Sequence, residues 1–490
     1  MARAVPLGPV AGVVGLLAFV ELTSGILQGF YTPLYTDIAR FLGVHDADVN
    51  WLEGAQLAVS AVVVPVFAKL GDIVGHRRML LWSTAITALA SLALAATDQF
   101  GLFLLAWAVQ GFYVVWLPLE IALIYSRSRE RGAPAALTRR AAGLLIAALE
   151  LGAILGALAA GALEGALPLQ LVLLFPAGAT VVCFLVVLLG VPSMPPIARG
   201  ARFDTGGTVL VTVALLALTG GLSLLRLDGP GSVLAWLVLV VGVALFVPFG
   251  LYERRRTDPL VDVRMFRDPS LWPVFVTAGL FGVSVLGAQA PLSTFARTDP
   301  AVYGYGLGAS SGQTSILVGV YVLSLVVGAM LFPLVTRWLA PRLALVGASA
   351  LVALGYLLFV PLHEGYTQVL LNMLIAGIGS GALVAALPAT AAAAAPTDRT
   401  GVATGLTNSV KTVGGAIASS VFGIALLGRA GADASAQAGT AGAFSGYLTV
   451  WLLCGLTAVV AAVLLLFVPR RAFGDPPAGR GLSRGAASVR

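Results

Sequence analysis

The sequence predicts an all-α polytopic membrane protein, and three observations carry that prediction. Hydrophobic residues make up 59% of the chain and charged residues only 10%, where a soluble domain carries roughly 25% charged residues. The apolar residues come in repeated runs of about 20, the length a helix needs to cross a hydrocarbon core. The runs also lack the alternating polarity of the ~10-residue strands that build a membrane barrel.

Breaks at charges, Gly and Pro divide the 490 residues into about fourteen spans. They fall near 10–33, 52–70, 79–97, 101–125, 141–163, 168–191, 206–226, 231–251, 271–295, 313–336, 341–361, 367–392, 400–428 and 443–468. The first run follows a single Arg3 and has no small-residue cleavage site before Glu21, so it is expected to be a retained span and not a signal peptide.

Charge sets the orientation. With the N-terminus inside, cytoplasmic segments such as "YSRSRERGAPAALTRR" and "YERRRTDPLVDVRMFRDPS" collect about 24 of the 29 basic residues. The opposite loops hold Arg40, Arg226, Arg297 and Arg429 and are comparatively acidic. Both termini are therefore expected to be cytoplasmic. This asymmetry accounts for the net charge of +7 without a nucleic-acid partner. Cys183 and Cys454 lie far apart in apolar runs without metal-ligand spacing, so no metal is expected.

Two basic, Pro-containing joints divide the spans six, two, six. The expected organisation is a six-helix bundle at 1–190, a cytoplasmic linker at 191–204 and two further central spans at 205–251. A basic cytoplasmic loop at 252–270, a second six-helix bundle at 271–470 and a disordered tail at 471–490 complete it.

The loop after the second span reads "AKLGDIVGHRRML" (68–80). It resembles motif A of the major facilitator superfamily, with Leu70, Gly71, Asp72, Gly75, Arg77 and Arg78 in register, Ala68 in place of the first Gly and His76 in place of an Arg. "GLLIAALELGAILGALAAG" (143–161) matches the glycine frame of the family's antiporter motif C at Gly143, Gly152, Gly156 and Gly161, with Ala157 where a Pro is usual. Small residues at such spacing let helices approach closely. "TGVATGLTNSVKTVGGAIASSVFG" (400–423) and "DPLVDVRMFRDPSL" resemble the fourteen-span drug:proton antiporter branch. In the fourth span Trp107 stands where motif B usually has an Arg.

The resemblance covers nearly the whole chain. It implies a major facilitator fold of two six-helix bundles plus two inserted central spans. It also implies a gate at Asp72, Gly75, Arg77 and Arg78 with Glu120 as partner of the motif A bases. The implied activity is proton-coupled efflux of an amphipathic or cationic small molecule by alternating access, without a cofactor and without enzymatic chemistry. The chain is expected to be monomeric in a bacterial cytoplasmic (inner) membrane. A lipid or lipid-like exporter of the same fold, and a non-transporting scaffold or sensor, are the alternatives.

Charges at the bilayer centre are costly and mark function by default. Glu21 and Glu150 each lie about ten residues, or ~15 Å of helix, inside their spans, and Lys411 lies at similar depth. A carboxyl group held out of water can take up and release a proton as a water path opens, so Glu21 and Glu150 are the candidate proton carriers. Lys411 is expected to hold a substrate anion or to balance a carboxylate. Gln28, Gln110, Tyr113, Asn372 and Asn408 are candidate cavity-lining groups, each equally able to bridge helices. Glu53, close to the outer face, is accounted for by solvation. "GASSG" (308–312) matches a hydrolase nucleophile pattern but has no strand-turn-helix context. No P-loop is present, so this chain by itself is not expected to use ATP.

Overall fold

The computed structural model describes residues 11–129, 134–193, 203–256, 259–395, 400–427 and 441–468. The tail at 471–490 and most of the linker at 191–204 lie outside the described residues. Fourteen helices long and apolar enough to cross a membrane are present among the described residues. Spans 1–6 are Ala11–Leu42, Asp46–Val74, His76–Ala96, Phe100–Arg127, Arg140–Leu163 and Leu169–Gly190. Spans 7 and 8 are Thr205–Asp228 and Val233–Glu253. Spans 9–14 are Trp272–Arg297, Ser311–Val335, Pro341–Leu358, Tyr366–Ala394, Val402–Leu426 and Phe444–Phe467.

Three spans are broken. Span 1 is helical to Phe30, makes a tighter turn at Thr32–Leu34 and resumes at Tyr35–Leu42, because Pro33 has no N–H for the helical ladder. It therefore extends beyond the residue-33 end expected from hydropathy. Span 4 tightens at Gly111–Val115, where the Gly111 carbonyl accepts a hydrogen bond from Ser60 of span 2. Span 9 stops at Val285 and restarts at Gln289. Backbone freed inside a membrane must find such partners within the protein.

One large core gathers spans 1–6 and another gathers spans 9–14. Their internal packing repeats with an offset of eight spans. Span 1 packs on 5 as 9 packs on 13, and span 3 on 6 as 11 on 14. The two halves meet through 2 against 13 and 5 against 10, a pair of contacts that the same offset exchanges. This is a pseudo-symmetry of two repeated bundles. Spans 7 and 8 pack on each other, and span 7 touches spans 2 and 13. The Arg226 side chain of span 7 bonds Asp48 and lies 5.5 Å over the Trp51 ring.

The glycines of span 5 have unequal roles. A Cβ at Gly152 would collide with the Leu22 carbonyl oxygen of span 1, and one at Gly156 would come 2.8 Å from the Ile26 carbonyl oxygen. Gly161 instead faces Ser315 and Gly312 of span 10, across the bundle interface. Gly143 meets nothing within 4 Å, so its expected packing role is corrected: nine residues, or about two and a half turns, from Gly152 it lies on the opposite, exposed face of the helix. Gly152→Val should cost about 1–3 kcal/mol by overpacking, read as a lower melting temperature in detergent, while Gly143→Ala should melt like the parent.

Candidate functional site

The gate region is built first by backbone. Gly75 has φ 111°, a conformation L-residues rarely adopt, so the turn between spans 2 and 3 requires glycine there. His76, in the place of an Arg, is buried and its Nε2 lies 3.2 Å from Asp72. The Arg77 guanidinium caps the end of span 6, bonding the Leu188 carbonyl at 2.8 Å and the Val191 carbonyl. Basic side chains are favoured there by the partial negative charge of a helix C-terminus. Arg78 is exposed.

Glu120 is not a partner of these bases, and that expectation is corrected. It is completely buried and its carboxyl group faces that of Glu21. Apart from each other the two carboxyl groups have no hydrogen-bond partner, and Cys183 of span 6 borders the pair. The depth of Glu120 was legible: it lies seven residues inside Arg127, or about 10 Å of helix. The match to a family gate obscured it. The two carboxyl groups come together where helix Ala11–Phe30 of span 1 packs against helix Trp116–Arg129 of span 4.

Above this pair lies an aromatic and amide layer. Trp107 is buried, with ring centroids 4.6 Å from Tyr31, 5.9 Å from Phe103 and 6.1 Å from Tyr35. The position where motif B usually has an Arg is filled with rings. Gln110 donates to Tyr31 Oη at 2.8 Å and to Ser91 Oγ at 2.9 Å, fully buried inside the first bundle. Asn372 is likewise buried and donates to the Leu362 carbonyl at 2.8 Å. Neither lines a cavity; both amides hold helices and turns within one bundle, which corrects the cavity expectation for them. Gln28 is exposed on span 1, and Tyr113 is buried between Glu21 and Glu53.

Glu150 and Lys411 occupy the bundle interface. Glu150 belongs to the first bundle and Lys411 to the second, and each is the charge acting on the other. They make no ion pair within 4 Å, and both side chains remain partly accessible. Tyr321 of span 10 also lies in electrostatic range of Glu150. Lys411 and Asn408 line a small cavity walled by Phe281, Leu383, Val384 and Leu387. This arrangement can present opposite charges to one guest from the two halves of the protein.

The outer ends of the bundles are latched together. Arg297 of span 9 bonds Asp37 at 2.5 Å and lies 4.0 Å from Glu164 of span 5. Ser311 donates to Glu164, Ser293 to the Thr32 carbonyl, and Ser419 to the Asn50 carbonyl at 2.8 Å. Beneath this layer Glu53 is buried, not solvated as its place in the sequence suggested; Tyr35 donates to its Oε1. Arg297 and Glu53 carried no motif, and only the meeting of spans 1, 2, 5 and 9 reveals them.

A sequence profile of the Major Facilitator Superfamily matches residues 17–419. The chain belongs to the major facilitator superfamily. It is a multi-pass membrane transporter of small molecules, not an enzyme. It is similar to a puromycin resistance protein of Streptomyces alboniger, 29% identical over 81% of this chain and 77% of that protein. A cephamycin export protein of Amycolatopsis lactamdurans is 27% identical over 93% of this chain and 92% of its own. A tetracenomycin C resistance and export protein of Streptomyces glaucescens is 26% identical over 79% and 70%. In fold, the chain is similar to the nucleoside transporter NupG, with a TM-score of 0.63 at 14% identity over 93% of this chain and 98% of that one. An auto-inhibited peptide transporter gives 0.65 at 15% identity over 92% and 96%.

The latch has a direct test. Ser420 faces Gly54 across the interface in the outer half, and both native cysteines are buried, so Ser420→Cys reports outer opening to a membrane-impermeant maleimide. Adding Arg297→Ala should raise its labelling rate from outside at least severalfold; an unchanged rate would show that the ion pair does not hold the bundles.

Proposed function

We propose that this protein is a proton-coupled antiporter of a bacterial cytoplasmic membrane, working as a monomer and exporting amphipathic small molecules that bear a cationic group. The observation that carries the reading is the placement of Glu150 and Lys411: one charge on each bundle, facing across the interface and not bonded to one another, with Lys411 also lining a small cavity of the second bundle. A fold of two rocking repeats puts its substrate site at that interface. A carboxylate there is a ligand for either a cationic drug or a proton, so occupation by one excludes the other. Exchange then follows from competition at Glu150, with Lys411 holding an anionic or carbonyl oxygen of the guest.

The Glu21–Glu120 pair supplies a second proton site. Two carboxylates side by side without a cation repel strongly, whereas one shared proton replaces repulsion with a hydrogen bond. Enclosed by spans 1, 4 and 6, this proton is held away from the substrate. The export functions named for the cephamycin and tetracenomycin relatives support the direction of transport, and the basic loops support the orientation. The missing motif B cation, replaced by Trp107, is why the proton is assigned to a carboxyl pair.

The assay is dye movement in proteoliposomes under an imposed pH gradient, with ethidium as the cationic probe. Glu150→Gln should weaken ethidium binding about tenfold, the cost of losing one charge-assisted contact. Glu21→Gln and Glu120→Gln should each abolish gradient-driven accumulation while leaving ethidium binding within about twofold. Full gradient-driven transport by Glu21→Gln would remove the pair from coupling.

A further inference from the structure

Glu53 is a buried carboxyl group that the reading so far leaves idle. It sits in span 2, seven residues beyond Asp46 at the outer end, and is only 6% exposed. Tyr35 donates to its Oε1, while Oε2 has no partner. What covers it comes from the other bundle. Ala290 begins the short helix Gln289–Arg297 of span 9, is fully buried, and packs into the core of the first bundle. The Ala290 backbone lies against the Glu53 carboxyl group.

That short helix also carries the latch. Its Ser293 bonds Thr32 and its Arg297 bonds Asp37, so the element that shuts the outer face is the element that caps Glu53. Resting on the antiport reading above, we propose that Glu53 is the extracytoplasmic proton-binding site, and that seating of Gln289–Arg297 over it ties closure of the outer face to its protonation.

The sign follows from what surrounds the carboxyl group. Tyr35 from the end of span 1 and Tyr113 from span 4 are the titratable groups facing it. From span 13 the neighbouring polar groups are the Ser419 and Ser420 hydroxyls. The cations nearest this layer are committed elsewhere, Arg297 to Asp37 and Arg226 to Asp48. An ionised Glu53 under the closed cap has the Tyr35 hydroxyl and the Ala290 backbone beside it but no cation, and burying a charge without a counter-ion opposes closure. A neutral Glu53 is sealed at far lower cost. Protons arriving from outside therefore favour the outward-closed carrier, which is the state that must return to collect substrate from the cytoplasm. Asp37 and Glu164 have the opposite sign: protonating either breaks the latch and opens the outer face.

The Ser420→Cys reporter reads this directly in the full chain in proteoliposomes without substrate. Labelling rates are divided at each pH by that of the same thiol in unfolded protein, which removes the reactivity of the thiol itself. Raising external pH from about 6 to about 9 should raise normalised labelling, with a limit of tenfold per unit for a single coupled proton. Glu53→Gln, which imitates the protonated group, should label slowly at every pH; Glu53→Asp should restore the pH response and serves as the folding control. A Glu53→Gln variant that keeps the parent's response overturns the proposal. A parent response of opposite sign overturns it too, and assigns the pH dependence to Asp37 or Glu164. A parent with no response overturns it as well, while gradient-driven ethidium transport by that same parent would leave the antiport reading standing.

Discussion

Water-free surroundings tolerate a charge only when it is paired, neutralised or turned toward a wet cavity, and the internal organisation of this transporter depends on how its few deep charges meet that constraint. Three solutions are present. Asp37, Glu164 and Arg297 pair at the outer rim. Glu150 and Lys411 face one another across the interface without bonding. Glu21 and Glu120 have no cation and are left with each other. Pairing makes a latch, separation makes a site for a guest, and juxtaposition of like groups makes a place for a proton.

The backbone serves the same arrangement. Gly152 and Gly156 bring span 5 against span 1, which fixes where Glu150 and Glu21 can sit relative to each other. Pro33 and the 286–288 break give spans 1 and 9, the first members of the two repeats, short outer helices at Tyr35–Leu42 and Gln289–Arg297. Those short helices supply Tyr35, Asp37, Ala290 and Arg297. A pair of breaks related by the internal repeat has thus produced the outer closure, and the buried carboxyl of span 2 lies under it. Spans 7 and 8 stay peripheral, tied by Arg226 to Asp48 at the same outer rim.

Motif resemblance helped and misled in identifiable places. The turn at Gly75 and the close approach at Gly152 are local demands, and the matched residues meet them. Glu120 looked like a gate partner because the motif A resemblance implied a carboxylate there, yet its own depth in span 4 put it in the bundle interior beside Glu21. Gln110 and Asn372 looked like cavity groups because amides in apolar helices are conspicuous. Both are consumed by hydrogen bonds within one bundle, a choice that depends on which neighbour lies at 3 Å.

The sequence by itself marked fourteen stretches long and apolar enough to cross a membrane, predicted which way round they lie, and carried the motifs of its superfamily and the expensive charges within its spans. These properties are local: hydropathy, Lys and Arg counts and glycine spacing act along a single helix or loop. Only the tertiary structure decided which charges meet. Glu21 and Glu120 are 99 residues apart, Asp37 and Arg297 are 260 apart, and no helical period relates either pair. Electrostatic energy in a low-dielectric interior depends on distances of a few ångströms, and those distances are set by how the bundles fold and lean on each other, a property that belongs to no single span.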